Sequence, residues 1–271
     1  MRWVHPVVMA SSSSAGIERF SKNADSYDDR VSPTLSAVAD AIRSQGWFKH
    51  WHRGSAAARA QHPVAGMSGY ERPRAMELGC GTGQLTFELF ADLAHCTGVD
   101  PAEGMIRVFQ QKIAQQQLNT QISAVCVDLL NTTPESPPEG LVMGGYDLIF
   151  SKLAFHHIRD CAAMVKALVP YLAEGGRLLI VDLEAGGNAR QFHLKEMECG
   201  VEYEHDGISE SAARDWFSAA GLAQVEVART WFEQPTHEGW REAEPGLPRM
   251  SEFSMLLISA IRPHMVSVAK I

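Results

Sequence analysis

Apolar and polar positions follow two different periods along this chain. Leu35, Val38, Ala39 and Ile42 recur at i, i+3, i+4 and i+7, the spacing of one face of an α-helix. They predict an amphipathic helix within residues 16–50, with Ser32 or Ser36 as its cap and Pro33 in its first turn. Residues 52–73 are rich in Ala, Gly and Pro and read as a linker or surface loop. From Arg74 short apolar runs alternate with helical patterns. RAMELG, CTGVD, QISAVCVDLL, GYDLIFSKL and GGRLLIVDLE read as strands. Gln84–Leu93, Ala102–Gln117 and Cys161–Leu172 read as helices, the second with Met105, Ile106, Phe109 and Ile113 on one face. The unbroken apolar run in GGRLLIVDLE marks a strand covered on both sides. Strands separated by helices pair in parallel, so this region predicts an α/β fold with a doubly wound sheet.

The rhythm breaks after the fifth strand. Residues 185–208 (AGGNARQFHLKEMECGVEYEHDGI) form an insertion with glycines near both ends, placed to fold over the sheet edge as a lid. Ser209–Ala220 reads as a helix capped by Ser209 and stopped by Gly221. AQVEVARTWFEQ and EFSMLLISAI then follow with no helix between them, which predicts an antiparallel pair and a reversed last strand. Three parts are expected. Residues 1–15 form a disordered extension in which Met9 is a second plausible start. Residues 16–73 form a helical segment and linker that caps the ligand site. Residues 74–271 form the main domain.

Composition narrows the function classes. Hydrophobic residues are 45% and charged residues 21% of the chain, enough apolar content for a core of useful size. The net charge of −8, with no Lys/Arg block, argues against a nucleic-acid partner. No apolar run approaches the length of a membrane span. The five cysteines are odd in number and never spaced C-x-x-C, so they read as free thiols in a reducing, cytoplasmic setting, with no disulfide framework and no metal site.

The chemistry-bearing motif is AMELGCGTGQLTFEL, residues 75–89. Gly79, Gly81 and Gly83 let the chain turn sharply and bring backbone N–H groups up to a ligand. The helix that follows points its positive end the same way. No Lys follows the glycines, which removes a triphosphate loop. Gln84 stands where a dinucleotide fingerprint needs a third glycine, which argues against a pyrophosphate. Asp100 closes the second strand, where a carboxylate is placed to hold both hydroxyls of a ribose. A nucleoside without a polyphosphate fits these residues.

In order along the chain, ELGCGTG, GVDPAEGM, VDLL, YDLIFSKLAFHHI and LAEGGRLLIVDLE resemble the motif set of the class I S-adenosylmethionine-dependent methyltransferases. The likeness is to the small-molecule group related to ubiquinone and biotin pathway enzymes. It is specific over residues 74–184 and looser over 16–263. The resemblance implies a Rossmann-like seven-stranded sheet, mostly parallel with the last strand antiparallel. It also implies S-adenosylmethionine as methyl donor, S-adenosylhomocysteine as product and a small-molecule acceptor. Glu77, Gly79, Cys80, Gly81 and Gly83 would surround the amino-acid part of the cofactor, and Asp100 its ribose. Pro101, Met105, Asp128 and Leu129 would hold the adenine, and Ser151 would touch the methionine moiety. Tyr27, within FSKNADSYDD, resembles the tyrosine that closes over the cofactor in the family's entry segment. A non-catalytic cofactor-binding regulator or partner protein remains the alternative, and the chain reads as a monomer or a homodimer.

His156 and His157 follow the fourth strand, at the sheet edge where open α/β folds bind ligands. In the resembled family this pair occurs in enzymes with different substrates, so loop-shaping hydrogen bonds are the favoured reading; a histidine there also suits proton transfer at neutral pH, and His156 is the first choice of the two to act on the acceptor. His193 and His205, in the insertion, are the candidate substrate contacts.

Overall fold

The computed structural model describes residues 14–45, 72–186, 189–192, 203–235, 246 and 249–264. Seven strands form one sheet in the order β3-β2-β1-β4-β5-β7-β6. They are β1 (Arg74–Leu78), β2 (His95–Asp100), β3 (Ile122–Cys126), β4 (Tyr146–Lys152), β5 (Leu172–Leu183), β6 (Ala223–Pro235) and β7 (Met250–Ile261). Strands β1 to β5 pair in parallel. β7 runs antiparallel to both β5 and β6, between which it inserts. The fold class read from the sequence is therefore present, reversed strand included.

The helices are α1 (Ser14–Asn23), α2 (Asp28–Ser44), α3 (Gln84–Leu89), α4 (Glu103–Gln115), α5 (Cys161–Leu168), α6 (Ala189–Phe192) and α7 (Glu210–Ala219). The sheet buries both faces because its central strands are apolar at successive positions. On one face Val38, Ala39 and Ile42 of α2 and Leu85 and Leu89 of α3 pack on Leu148, Phe150, Leu179 and Val181. On the other, Met164 and Val165 of α5 and Phe217 of α7 pack on Met76, Ile149, Ile180 and Ile258. Each such side chain contributes about 1.5–3 kcal/mol by leaving water. The predicted face of α4, Met105, Ile106, Phe109 and Ile113, is buried throughout.

Several boundaries differ from expectation. Ser14 and Ala15 already belong to α1. The helix carrying Leu35 to Ile42 starts at Asp28, so neither Ser32 nor Ser36 caps it and Pro33 lies beyond its first turn. The reason is tertiary: the Asp28 carboxylate accepts from the Thr82 hydroxyl and the Lys112 amine, which anchors the helix start to the glycine loop. The third strand stops at Cys126, because the Asp128 side chain accepts from the Leu130 amide at 3.1 Å and turns the chain. Ser209 does cap α7, its hydroxyl accepting from the Ala212 amide at 3.2 Å. Residues 1–13 and 46–71, with most of the extension and linker, lie outside the described residues, as do 193–202 of the insertion. Among the described residues no helix is long and apolar enough to cross a membrane.

Candidate active site

Strand order reverses between β1 and β4, so their carboxyl ends open a crevice. A cleft lies there. One half of its wall is Gly79, Gly81, Asp100, Pro101, Ala102, Met105, Val127, Asp128 and Leu129. The other is Ile17, Phe20, Tyr27, Leu153, Ala154, His157, Ile158 and Met164. The first half comes from the end of β2, the loops after β1, β2 and β3, and the first turn of α4; the second from α1, the segment joining it to α2, the loop after β4, and α5.

The glycine loop needs its glycines for two different reasons. Gly83 has φ +82°, and a Cβ there would stand 2.1 Å from the ring of Phe109. Gly81 has φ +51°, but a Cβ there would meet only Tyr27 at 3.7 Å and Met105 at 3.9 Å. Gly83 is thus closed by packing, whereas Gly81 leaves room on the cleft side. The loop is fixed by the amides of Gly79 and Cys80, which donate to Val99 O at 2.8 and 3.2 Å.

Asp100 ties the second strand to this loop. Its Oδ2 accepts from the Gly81 amide at 3.0 Å and its Oδ1 from the Ala102 amide at 2.8 Å. Each oxygen keeps a lone pair for a ligand hydroxyl. Burial pushes the carboxyl up to about 6, against the pull of those two amides. Asp128 accepts from the Leu130 amide and from Asn131 Nδ2 at 2.9 Å, which orients its carboxylate beside Leu129.

Other predicted residues stand behind the wall. Glu77 is buried, accepts from the Thr86 hydroxyl, and is pushed up to about 8, chiefly by burial. Lys152 on the neighbouring strand is pushed down to about 8 by burial, with Glu77 and Asp182 opposing. Cys80 packs its side chain among Ile106, Phe109 and Ile113. Ser151 is buried at 1% exposure, and its Oγ has no hydrogen-bond partner among the described residues. None of Glu77, Cys80, Gly83 and Ser151 lines the cleft.

The histidine pair divides. His157 lines the cleft and meets the Phe20 ring edge-on, centroids 5.2 Å apart. His156, the first choice from sequence, is 1% exposed and points into the protein. Its Nδ1 donates to Asp182 Oδ1 at 2.6 Å. Of the two readings, its position fits loop-shaping hydrogen bonds and corrects the one in which it faces an acceptor. The reason is the buried carboxylate on β5, 26 residues away, which no local pattern announces. His205 donates from Nε2 to Ile158 O at 2.9 Å and does not line the cleft; His193 lies outside the described residues. Sequence reading missed Phe20, Ile158 and Met164, which are ordinary apolar residues until the fold gathers them. Among the described residues no group of three or more His, Cys, Asp or Glu is placed to hold a metal ion.

The N-terminal segment is fastened over the glycine loop. Besides Asp28, the Ser21 hydroxyl accepts from the Gly104 amide at 3.0 Å, and Arg107 pairs with Asp25 at 2.9 Å. Tyr27 thereby reaches the cleft beside Gly81.

Comparison with known proteins agrees with this architecture. Residues 76–178 match the family model described as "Methyltransferase domain". The chain is 25% identical over 171 residues to an uncharacterized methyltransferase of Schizosaccharomyces pombe, covering 60% of each protein. It is 27% identical over 173 residues to the malonyl-[acyl-carrier protein] O-methyltransferase of a Paenibacillus species, covering 61% of this chain and 59% of that one. The chain thus spans about 60% of the length of these two relatives. Among solved structures it resembles phosphoethanolamine N-methyltransferase 2 of Haemonchus contortus in complex with phosphomonomethylethanolamine and S-adenosylhomocysteine. There the TM-score is 0.53 and the identity 14%, over 83% of this chain and 58% of that one.

Proposed function

The chain belongs to the class I S-adenosylmethionine-dependent methyltransferases, and we propose that it moves a methyl group from S-adenosylmethionine to a small-molecule acceptor. The observation that supports this most is the meeting of Gly79, Gly81, Asp100, Met105, Asp128 and Tyr27 in one cleft. They come from four separate segments, the glycine loop, the end of β2 with the start of α4, the turn after β3, and the stretch before α2, with no local reason to converge. The cleft also fits the cofactor's charge: its described lining carries Asp100 and Asp128 but no Lys or Arg. The cofactor, when bound, supplies an electrophilic methyl carbon on a sulfonium sulfur.

The residues then take distinct tasks. Asp100 would accept from the two ribose hydroxyls with its remaining lone pairs. Asp128 would accept from the adenine amino group, and Pro101, Met105 and Leu129 would pack on the ring. Gly79 and Gly81 would let the amino-acid end approach the backbone, with Tyr27 closing above. Glu77, Cys80, Gly83 and Ser151 would act from behind the wall, by holding the loop and the strand end in place. Phe20, Leu153, Ile158 and Met164 would exclude water on the acceptor side. His157 would take the acceptor's proton on a ring nitrogen where the nucleophile needs it. The apolar walls favour an acceptor with an aromatic or aliphatic body.

Calorimetry with S-adenosylhomocysteine and with NAD tests this. Micromolar binding of the first and none of the second is expected; the reverse result overturns the proposal. Transfer of labelled methyl from S-adenosylmethionine into a pool of small metabolites then tests turnover. Ligand binding without any transfer would point instead to a binding protein.

A further inference from the structure

The buried residues around His156 make more contacts than a loop needs to close. Asp182 Oδ2 accepts from the backbone amides of Phe155 at 2.8 Å and His156 at 3.2 Å. Its Oδ1 accepts from the His156 ring at 2.6 Å and from the Leu183 amide at 2.8 Å. Both side chains are 1% exposed. Burial pushes the Asp182 carboxyl up, yet His156 beside it and the Leu183 amide hold it below its ordinary value. A buried carboxylate survives only when several donors satisfy it, and this one is satisfied almost wholly by the turn that carries His157.

The same turn receives the end of the insertion. The carbonyl of His156 accepts from the amides of Glu204 at 2.9 Å and His205 at 3.1 Å. The His205 ring donates to Ile158 O, and Arg159 pairs with Glu204 at 3.3 Å. The His156 and His157 rings lie 4.0 Å apart, so displacing one displaces the other. His157 in turn sits against Phe20 of α1. The chain of contact runs from β5 through His156 to the cleft and on to the N-terminal segment.

We propose that Asp182 and His156 are positioning residues that set the direction of the His157 ring into the cleft and dock the segment 203–208 on the same turn. This rests on the assignment of His157 to the acceptor side. Asp182 holds the turn by its backbone and by one ring, so the turn has a single arrangement rather than several. Neither residue touches the cleft.

The test uses the full chain with labelled histidine, and the His157 ring signals are assigned by their loss in His157→Gln. In the unaltered protein the Phe20 ring shifts them, and Phe20→Leu removes that shift. His156→Asn keeps a side-chain N–H toward Asp182 and is expected to keep the His157 signals near their original positions. His156→Leu cannot donate, and is expected to lose the Phe20 shift and broaden the signals. Affinity for S-adenosylhomocysteine is expected to change less than about threefold in both, because Asp100 and Asp128 are untouched. Identical His157 spectra in folded His156→Asn and His156→Leu overturn the proposal. If His156→Leu does not fold, Asp182→Asn carries the same expectation of loss, and an unchanged His157 spectrum there overturns it equally. The His157 signals are read without ligand. Failure of S-adenosylhomocysteine to bind the unaltered chain would therefore strike the methyltransferase proposal alone.

Discussion

The two halves of the cleft are built by different means. The half around Gly81 and Asp100 is made of residues 79–129 at successive strand ends, with contacts such as Gly81 to Asp100 closing over 19 positions. The half around His157 is made of side chains from distant segments: Phe20 from α1, Ile158 and Met164 beyond β4, and Asp182 behind them on β5. The first half is shaped by glycine conformation and strand ends. The second is assembled by packing and by a buried carboxylate. A cofactor shared by many proteins suits the first arrangement, and an acceptor particular to one suits the second.

Substitutions can break this contrast in a definite order. Gly83→Ala should have the largest effect, since its Cβ would stand 2.1 Å from Phe109 at φ +82°. A loss of about 3 kcal/mol in chemical denaturation, with no detectable S-adenosylhomocysteine binding, is expected. Gly81→Ala sharpens the point. It should cost only about 1 kcal/mol of stability, while affinity falls more than about tenfold because the methyl group enters the cleft. Equal stability losses for the two would show that the loop is not divided into a packed and an open glycine.

His157→Gln should lower methyl transfer about 100-fold with cofactor affinity within about twofold. A parallel fall in both would place His157 in the wrong half. Asp100→Asn should do the opposite, weakening S-adenosylhomocysteine about 30-fold, the equivalent of about 2 kcal/mol. Because the Asp100 carboxyl sits at about 6, wild-type affinity should weaken as the pH falls through that value. Lys112→Met, which releases the amine from Asp28 and from Thr82 O, should act least. About threefold faster release of S-adenosylhomocysteine in stopped flow is expected, since the pair is partly exposed.

Glu77 gives a test of the buried wall that needs no ligand. Its folded value of about 8 lies above the ordinary 4.5, so folding favours the protonated form. That stabilising contribution is complete below about 4.5 and is lost as the pH rises through about 8. Glu77→Gln should flatten the corresponding fall in melting temperature; an unchanged slope would mean that the carboxyl is better solvated than its burial implies.

Much of the cleft's first half was legible in the chain. Alternating apolar runs and helical faces pointed to a parallel, doubly wound sheet, and the missing helix between the last two strands pointed to the reversal. Tyr27, Gly79, Gly81, Asp100, Pro101, Met105, Asp128 and Leu129, named from motifs, all line the cleft. Glu77, Cys80, Gly83 and Ser151 belong to the same motifs but stand behind it, because a strand alternates its faces and a motif does not record which face looks outward. His156 and His157 are chemically identical in sequence. Asp182 holds the ring of one, and Phe20 meets the ring of the other.

By itself, then, the amino-acid sequence determined the parallel sheet, its reversed last strand and the glycine-loop half of the cleft. Glycine conformation, apolar periodicity and strand-end carboxylates act over short distances and leave local marks. Tertiary structure decided the start of α2 at Asp28, the insertion of β7 between β5 and β6, and which histidine faces the cleft. Those outcomes depend on hydrogen bonds between residues tens of positions apart. Such a bond forms only once the fold brings both partners together, and neither partner carries a local sign of the other.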